Sequence, residues 1–532
     1  MKTLKLLLLI SLLLLTNPAT AEELYFRFPV ENRSELLEIT RLVSIDNYKN
    51  DTVYAYGTLA YFNSAKAAGY QIELLEHPSK FANPKMAKTQ AEMTDWDVYP
   101  NYTDYVQMMY KFDSLYPNLC TTIVAGNSEL GREILFVKIS DNVHTEEAEP
   151  EVMYSSSMHG NELCGYVLML RMIDSILTTY GTDSEITAMV DNMEIWINPL
   201  ANPDGAYQIG DSTVSGAIRG NSNFVDLNRN FPDPDEGPHP DGKTWQAETI
   251  AMINIAEQQS WVISGNFHGG AEVINYPWDT WFVRHPDDLW YISISRQYAD
   301  SAQAYSPFGY MTQLNNGITN GWDWFPIFGG RQDYMNYFHG SREVTIELSN
   351  TKLLNPALLP AHWEYNRVSL FDWLRQANYG IRGIVTDSAT GDPVAATVTV
   401  IGRDSASSKV FTDPDIGDYY RMLEPGVYAL QFSAEGYDTL VVTGIAVIAD
   451  SATVENVLLI PTFWLCGDID DNGEFQGILE LTFLVDFIFR GGPPPANELA
   501  ADVDGSGGTA NILDLTYMVD FIFRGGPGPS CK

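Results

Sequence analysis

From Trp96 to about Ala377 short apolar runs alternate with helical stretches, and that alternation constrains the fold more than any other feature of the chain. Ile134–Ile139, Glu151–Ser155, Met193–Pro199 and Trp261–Phe267 read as buried strands, and Leu163–Leu177 carries apolar residues at helical spacing. Strands this apolar must be covered on both faces, which predicts an α/β fold with a mainly parallel mixed sheet flanked by helices. Such a sheet places its ligands beyond the carboxyl ends of its strands, so polar clusters at strand ends are the first places to look for chemistry.

Four segments flank that region. Residues 1–21 begin Met-Lys-Thr-Leu-Lys, continue as a Leu/Ile run and end in Asn17-Pro-Ala-Thr-Ala21, the pattern of a secretory signal peptide; an uncleaved anchor is the alternative. Residues 22–95 mix strand-like runs with a helical stretch and read as a pro-segment or a small N-terminal accessory domain. The α/β region, 96–378, is followed by residues 380–461. There, short Val/Thr/Tyr-rich runs separated by turns such as Thr390-Gly-Asp-Pro393 predict an all-β sandwich. Residues 464–532 contain a repeat: Asp486-Phe-Ile-Phe-Arg-Gly-Gly492 recurs from Asp520, 34 residues later (486 to 520).

The α/β region concentrates its chemistry in a few positions. His159-Gly-Asn-Glu162 follows a strand and opens a helix, so both side chains can converge on one ion. On its own, His-x-x-Glu is commonplace. Val225-Asp-Leu-Asn-Arg-Asn-Phe-Pro232 is too polar for a core strand, and Asn266-Phe-His-Gly-Gly270 puts His268 at a strand end. Glu347 sits in Val344-Thr-Ile-Glu-Leu348 among apolar neighbours, where an acid is costly unless it has a partner or a task. Each motif has a bland reading by itself, but their order argues for one site.

With these motifs the chain resembles the M14 zinc metallocarboxypeptidases, of the N/E-type branch that carries a transthyretin-like domain after the catalytic one. Tyr99-Pro-Asn-Tyr102, Glu129-Leu-Gly-Arg-Glu133, Asn202-Pro-Asp-Gly205, Gln332-Asp-Tyr334 and Gly417-Asp-Tyr-Tyr-Arg-Met-Leu-Glu-Pro-Gly426 fit as well. The resemblance implies a catalytic domain over 96–378 and a transthyretin-like sandwich over 380–461. It implies that His159, Glu162 and His268 hold one zinc ion, with Asp226 orienting the first histidine. It further implies Asn228 and Arg229 as the grip on a substrate's terminal carboxylate, Arg219 as the electrophile at the scissile carbonyl and Glu347 as the general base. One position departs from the pattern: Phe325 stands where the family has a mobile tyrosine, unless Tyr334 or Tyr337 substitutes. Asp279 and Gln332 match relatives that prefer C-terminal Lys or Arg; a turn residue after Pro277 is the lesser reading of Asp279.

In the repeat, Asp468, Asp470 and Asn472 precede Gly473 and Glu480; Asp502, Asp504 and Ser506 precede Gly507 and Asp514. Alternating oxygen donors, a glycine and a late acid describe calcium loops, two in number, each followed by a helical pattern. Glu480 is the thirteenth residue counted from Asp468, one later than the usual loop places its acid. The module resembles a dockerin, which implies a cohesin-like scaffold as partner.

A net charge of −38 excludes nucleic acid as a natural partner. No later segment is a transmembrane span, so the expected protein is secreted, extracellular or attached to a cell surface. Four cysteines in an exported chain allow two disulfides, Cys466 with Cys531 and Cys120 with Cys164. The expected activity is removal of C-terminal residues from peptides or proteins with a free terminal carboxylate. A cell-wall peptide amidase or peptidase on the same fold is the first alternative, and an inactive zinc-binding surface protein the second.

Overall fold

The computed structural model describes residues 22–462, 465–495 and 497–531. The expected signal peptide, 1–21, lies outside them. Among the described residues no helix is long and apolar enough to cross a membrane. The chain divides into two compact units. One comprises the chain up to Thr386 with Gly391–Ala434 and Thr439–Leu458, the other the chain from Leu459 on with two short loops.

The first unit opens with a small four-stranded sheet. Its strands are β1 (Leu24–Pro29), β2 (Ser44–Lys49), β3 (Thr52–Gly57) and β4 (Glu73–Leu75), in the order β2-β3-β1-β4, with helices Leu36–Leu42 and Leu59–Ala67. The β1, β2 and β3 contacts are antiparallel, and alternate side chains such as Phe26 and Phe28 point into a shared apolar layer.

The central sheet has eight strands: β5 (Cys120–Asn127), β6 (Glu133–Ile139), β7 (Glu151–Ser156), β8 (Glu194–Asn198), β9 (Ile263–His268), β10 (Glu272–Tyr276), β11 (Ile318–Asn320) and β12 (Arg342–Leu348). Their order is β11-β10-β12-β9-β7-β8-β6-β5. The centre, β8-β7-β9-β12, is parallel, as is β10 with β11. The β5, β6 and β8 contacts and the β10–β12 pair are antiparallel, so the sheet is more evenly mixed than its apolar runs suggest. Ile134–Ile139 is the case in point: burial on both faces makes a strand apolar whatever its direction. Helix Cys164–Thr179 covers one face, with eleven buried residues from Cys164 to Leu177.

The sandwich follows, with strands β13 (Gly380–Asp387), β14 (Thr397–Val400), β15 (Val410–Phe411), β16 (Asp418–Arg421), β17 (Gly426–Ser433), β18 (Leu440–Val447) and β19 (Ala452–Val454). One sheet contains β16-β13-β19 and the other runs β15-β14-β17-β18. A buried ionic knot fastens the sandwich to the α/β region: Asp287 receives Arg421 at 2.8 and 3.0 Å, Arg342 at 2.9 Å and Arg403 at 2.9 Å. Against the cost of burial, Arg421 and Arg342, with His285 after them, hold its pKa far below the usual range.

In the second unit, helices Ile478–Arg490 and Ile512–Arg524 pack around Leu484, Leu515 and Met518, and a disulfide joins Cys466 to Cys531. The other pairing expected from the cysteine count does not form. Cys120 and Cys164 are buried free thiols within the apolar core, one opening an edge strand and the other a helix. Both behave there as small apolar side chains.

Candidate metal centre and peptide-end site

His159 and Glu162 lie on the turn after β7, and His268 ends β9, the next strand in the sheet. The parallel pairing thus delivers all three to one edge. His159 Nδ1 lies 3.0 Å from Glu162 Oε2 and 3.0 Å from His268 Nδ1, and His268 Nδ1 lies 2.9 Å from Glu162 Oε2. Three donor atoms this close form the triangle that one zinc ion needs when it binds each at roughly 2.0–2.2 Å. The protonation also fits. His159 Nε2 lies 3.0 Å from Asp226 Oδ1, which fixes the proton on Nε2 and leaves Nδ1 as a lone-pair donor. Burial, with the neighbouring His159, pushes His268 down to about 4, so its ring is neutral as a ligand must be.

Glu162 uses its second oxygen for two cations, Arg219 Nη1 at 3.1 Å and Lys352 Nζ at 2.7 Å. Lys352 also bonds the Gly269 carbonyl at 2.9 Å. Nothing in the local sequence marks Lys352; it reaches the centre from the loop after β12. Burial would raise the Glu162 pKa, but His159 and Lys352 outweigh it and hold the carboxylate ionised.

Glu347 pairs in register with His268 across β12 and β9 and is 9% exposed, with Oε2 free of hydrogen bonds. Burial, and after it the charge of Glu162, pushes its pKa up to about 8. A divalent cation beside it would draw that value back toward the ionised form a base requires.

The 3-10 turn Leu227–Arg229 places the remaining polar groups. Asp226 Oδ1 accepts the Asn228 amide at 2.9 Å, and Asp226 Oδ2 accepts Arg219 Nε at 3.1 Å. Asn228 Oδ1 accepts the Arg331 amide at 2.9 Å, and Arg229 Nη1 donates to the Asn228 carbonyl at 2.8 Å. Asp279, 1% exposed, accepts Asn275 Nδ2 at 2.9 Å, and its amide rests on Asp333. Burial pushes its pKa up to about 6, against the opposing pull of Asn275 and Arg229. Gly321 makes room for it, since a Cβ there would meet Asp279 Oδ1 at 1.6 Å. A Cβ on Gly330 would touch both Asp279 Oδ2 and Asn228 Oδ1, at 3.6 and 3.7 Å, so the two side chains border one space. Gln332 accepts the Thr345 amide at 2.8 Å and leaves Nε2 unpartnered in the interior.

The N-terminal sheet lies against Arg219, Asp226, Arg229 and Lys352. Asp46 pairs with Arg219 at 3.3 Å and with Lys352, Ser44 bonds Asp226, and the Ile45 carbonyl accepts Arg229 Nη2 at 2.9 Å. Glu23 accepts the amides of Arg219 and Gly220 at 2.7 and 2.9 Å, and the Tyr56 ring faces both Arg219 and Lys352. A cavity of ≈ 80 Å³ remains beside Arg219 and Arg229, well below the roughly 300–1,000 Å³ of an open ligand pocket. Phe325 is buried in the apolar layer shared by Phe26, Phe28, Trp324 and Ile327. The Tyr334 hydroxyl lies 2.8 Å from His339 Nε2, and Tyr337 packs edge-on against Trp278 and Trp281.

In the second unit, carboxylate oxygens of Asp468, Asp470 and Glu480 gather within 4.8 Å of one another, as do those of Asp502, Asp504 and Asp514. The late acids therefore reach their loops in spite of the shifted position. Asn472 Oδ1 instead accepts the Glu474 amide, and Ser506 gives its own amide to Asp502 and Asp504.

A two-histidine, one-carboxylate centre with a buried acid beside it, at the carboxyl edge of a mixed α/β sheet, defines a metallohydrolase site. The chain belongs to the zinc carboxypeptidase family, whose members are hydrolases: residues 105–369 match that family, and residues 380–459 match the carboxypeptidase regulatory-like domain. It is 36% identical over 377 residues to carboxypeptidase D of Mus musculus, an alignment covering 68% of this chain and 27% of that protein. It is also 33% identical over 386 residues to the carboxypeptidase N catalytic chain of Homo sapiens, covering 64% of this chain and 81% of the other. The chain thus spans about a quarter of the length of its carboxypeptidase D relatives. The crystal structure of a carboxypeptidase A from Helicoverpa armigera shares the fold, with a TM-score of 0.51 at 18% identity over 66% of this chain and 98% of that one.

Proposed function

We propose that this chain is an exported zinc metallocarboxypeptidase that hydrolyses the last peptide bond of peptides and proteins, favours C-terminal Lys or Arg, and is held shut by residues 22–95. The observation that carries the reading is the convergence of His159, Glu162 and His268 with Glu347, Arg219 and Arg229 in one buried space. Zinc, when bound there, supplies Lewis-acid activation of water and of the scissile carbonyl.

The side chains divide the remaining work. Arg229 and Asn228 hold the substrate's terminal carboxylate, a task that suits the planar guanidinium. Arg219 faces the oxygen on which charge develops. Glu347 takes a proton from the attacking water and passes it to the departing amine. Asp279, bordering the same space as Asn228, receives a basic terminal side chain. A C-terminally varied peptide library, digested by the activated protein with Glu347→Gln as control, tests activity and preference together. Indifference to the terminal residue would remove the basic preference, and equal hydrolysis by the variant would remove the assigned base.

The block by residues 22–95 is supported by Asp46 and Ile45 engaging the two arginines assigned to substrate. The connecting segment exposes Lys80, Lys85 and Lys88. Cutting after any of them breaks the covalent link between the small sheet and the α/β region. The C-terminal unit completes the proposal. Two calcium ions held by Asp468, Asp470 and Glu480 and by Asp502, Asp504 and Asp514, with Asn472 and Ser506 in the loops, would order a module that docks on a cohesin-like scaffold. Calcium-dependent protection of residues 465–531 from protease is the expected result; equal digestion with and without chelator would count against it.

A further inference from the structure

At the opposite edge of the central sheet from the metal centre, a second group of carboxylates gathers around the buried Glu151. Glu146 and Glu149 come from the loop before β7, Glu151 is the first residue of β7, Asp413 lies in the turn after β15, and Asp418 opens β16. They line one small cavity between the α/β region and the sandwich. Its volume, ≈ 10 Å³, is about that of a single water-sized sphere. Carboxylate oxygens of Glu146, Glu151 and Asp413 all lie within 4.8 Å of one another. That separation is the widest two oxygens can have when both bind one ion at roughly 2.4 Å.

Two features set this group apart from an ordinary acidic surface. Glu151 is only 5% exposed and, while its Oε1 accepts the Ser260 amide at 3.2 Å, its Oε2 has no hydrogen-bond partner and faces the cavity. The Ser260 hydroxyl bonds Asp413 Oδ2 at 2.7 Å, so one residue holds Glu151 and Asp413 side by side across the domain junction. Lys138 Nζ is held mainly by Glu194 at 2.6 Å and pairs with Glu146 at 3.8 Å. Among the described residues, Glu149, Glu151, Asp413 and Asp418 form no ion pair. Buried like charges repel unless something of opposite sign lies between them.

We propose that Glu146, Glu151 and Asp413 bind a divalent cation, calcium, that joins the α/β region to the sandwich. The donors are hard oxygens without nitrogen or sulfur, which selects calcium over zinc. They come from two domains, which makes the ion a link between them. The site is separate from the carboxyl-edge centre by the length of β7, six residues, or roughly 20 Å.

Calcium bound per chain, measured by equilibrium dialysis on the intact zinc-loaded protein, tests this. The double variant E151Q/D413N, which keeps shape and removes charge, is expected to bind one calcium fewer than the unaltered chain, whatever the C-terminal loops contribute. Terbium substituted for calcium should show emission sensitised by Tyr420, whose hydroxyl lies 2.8 Å from Asp418 Oδ2, and that emission should vanish in the variant. Equal stoichiometry in the two proteins would overturn the proposal. Should the double variant fail to fold, E146Q alters only an exposed side chain. It is expected to weaken the affinity of one calcium site at least tenfold at unchanged peptide hydrolysis, and a titration identical to that of the unaltered protein would also overturn the proposal.

Discussion

Replacing Asp279 with alanine removes one buried carboxylate while leaving the proposed zinc ligands and Glu347 in place. Hydrolysis of Lys- and Arg-ended peptides should fall on the order of 100-fold in kcat/KM, about 3 kcal/mol, the usual cost of deserting a buried charge partner. Leu- or Phe-ended peptides should change little, and a ratio of the two substrates measures the effect free of expression differences. Asp226 acts through His159, whose proton it fixes. Asp226→Asn should weaken zinc retention 10–100-fold against a chelator, as expected when the partner of a metal-bound imidazole is lost. At this scale much of the site was legible. His159, Glu162, His268 and Glu347 stand in short patterns tied to strand ends, where backbone geometry dictates side-chain placement. Lys352 was not legible, because a lysine in a loop carries no pattern and only the fold brings it to Glu162. The Cys120–Cys164 pairing failed for the same reason: parity counts thiols but not the distances between them.

Among the elements, β2 carries the block proposed above. Its residues Ser44, Ile45 and Asp46 satisfy Asp226, Arg229 and Arg219 in turn. Limited trypsin cleavage after Lys80, Lys85 or Lys88 should raise hydrolysis of a basic-ended peptide at least tenfold. Asp46→Ala should raise the uncut protein's activity part of the way, since it frees Arg219 and Lys352 but leaves the Ile45 carbonyl on Arg229. An uncut chain as active as the cut one would dismiss the block. Residues 22–95 were legible as a pro-segment or a small accessory domain, but their contacts with the site were not, because those join residues up to 306 positions apart. The direction of β6 escaped notice too: an apolar run records burial, and burial is the same for parallel and antiparallel neighbours.

At the scale of the whole molecule, Asp287 ties the sandwich to the α/β region. Asp287→Asn leaves Arg342 and Arg421 buried without their carboxylate, so stability should drop by about 3–5 kcal/mol, read as a lower urea midpoint. The pH dependence follows from the depressed pKa. An unfolded aspartate titrates near roughly 3.9, and the folded carboxylate holds its charge well below that. The contribution is therefore complete above the unfolded value and is lost as pH falls toward the folded one. Between about pH 5 and pH 2 the unaltered protein should lose stability more steeply than the asparagine variant, and parallel curves would show that the knot contributes nothing.

The apolar layer that buries Phe325 beneath Phe26 and Phe28 adds something to the mode of activation. Cutting the connecting chain breaks one peptide bond but none of those contacts, nor the Glu23 and Ile45 hydrogen bonds. Before the cut the small sheet is present at an effective concentration in the millimolar range, and after it only at the concentration of the protein itself. Cleavage and onset of activity are then separate events. Activity should appear after a lag set by dissociation, its final level should rise on dilution, and the released fragment, added back in excess, should inhibit in trans.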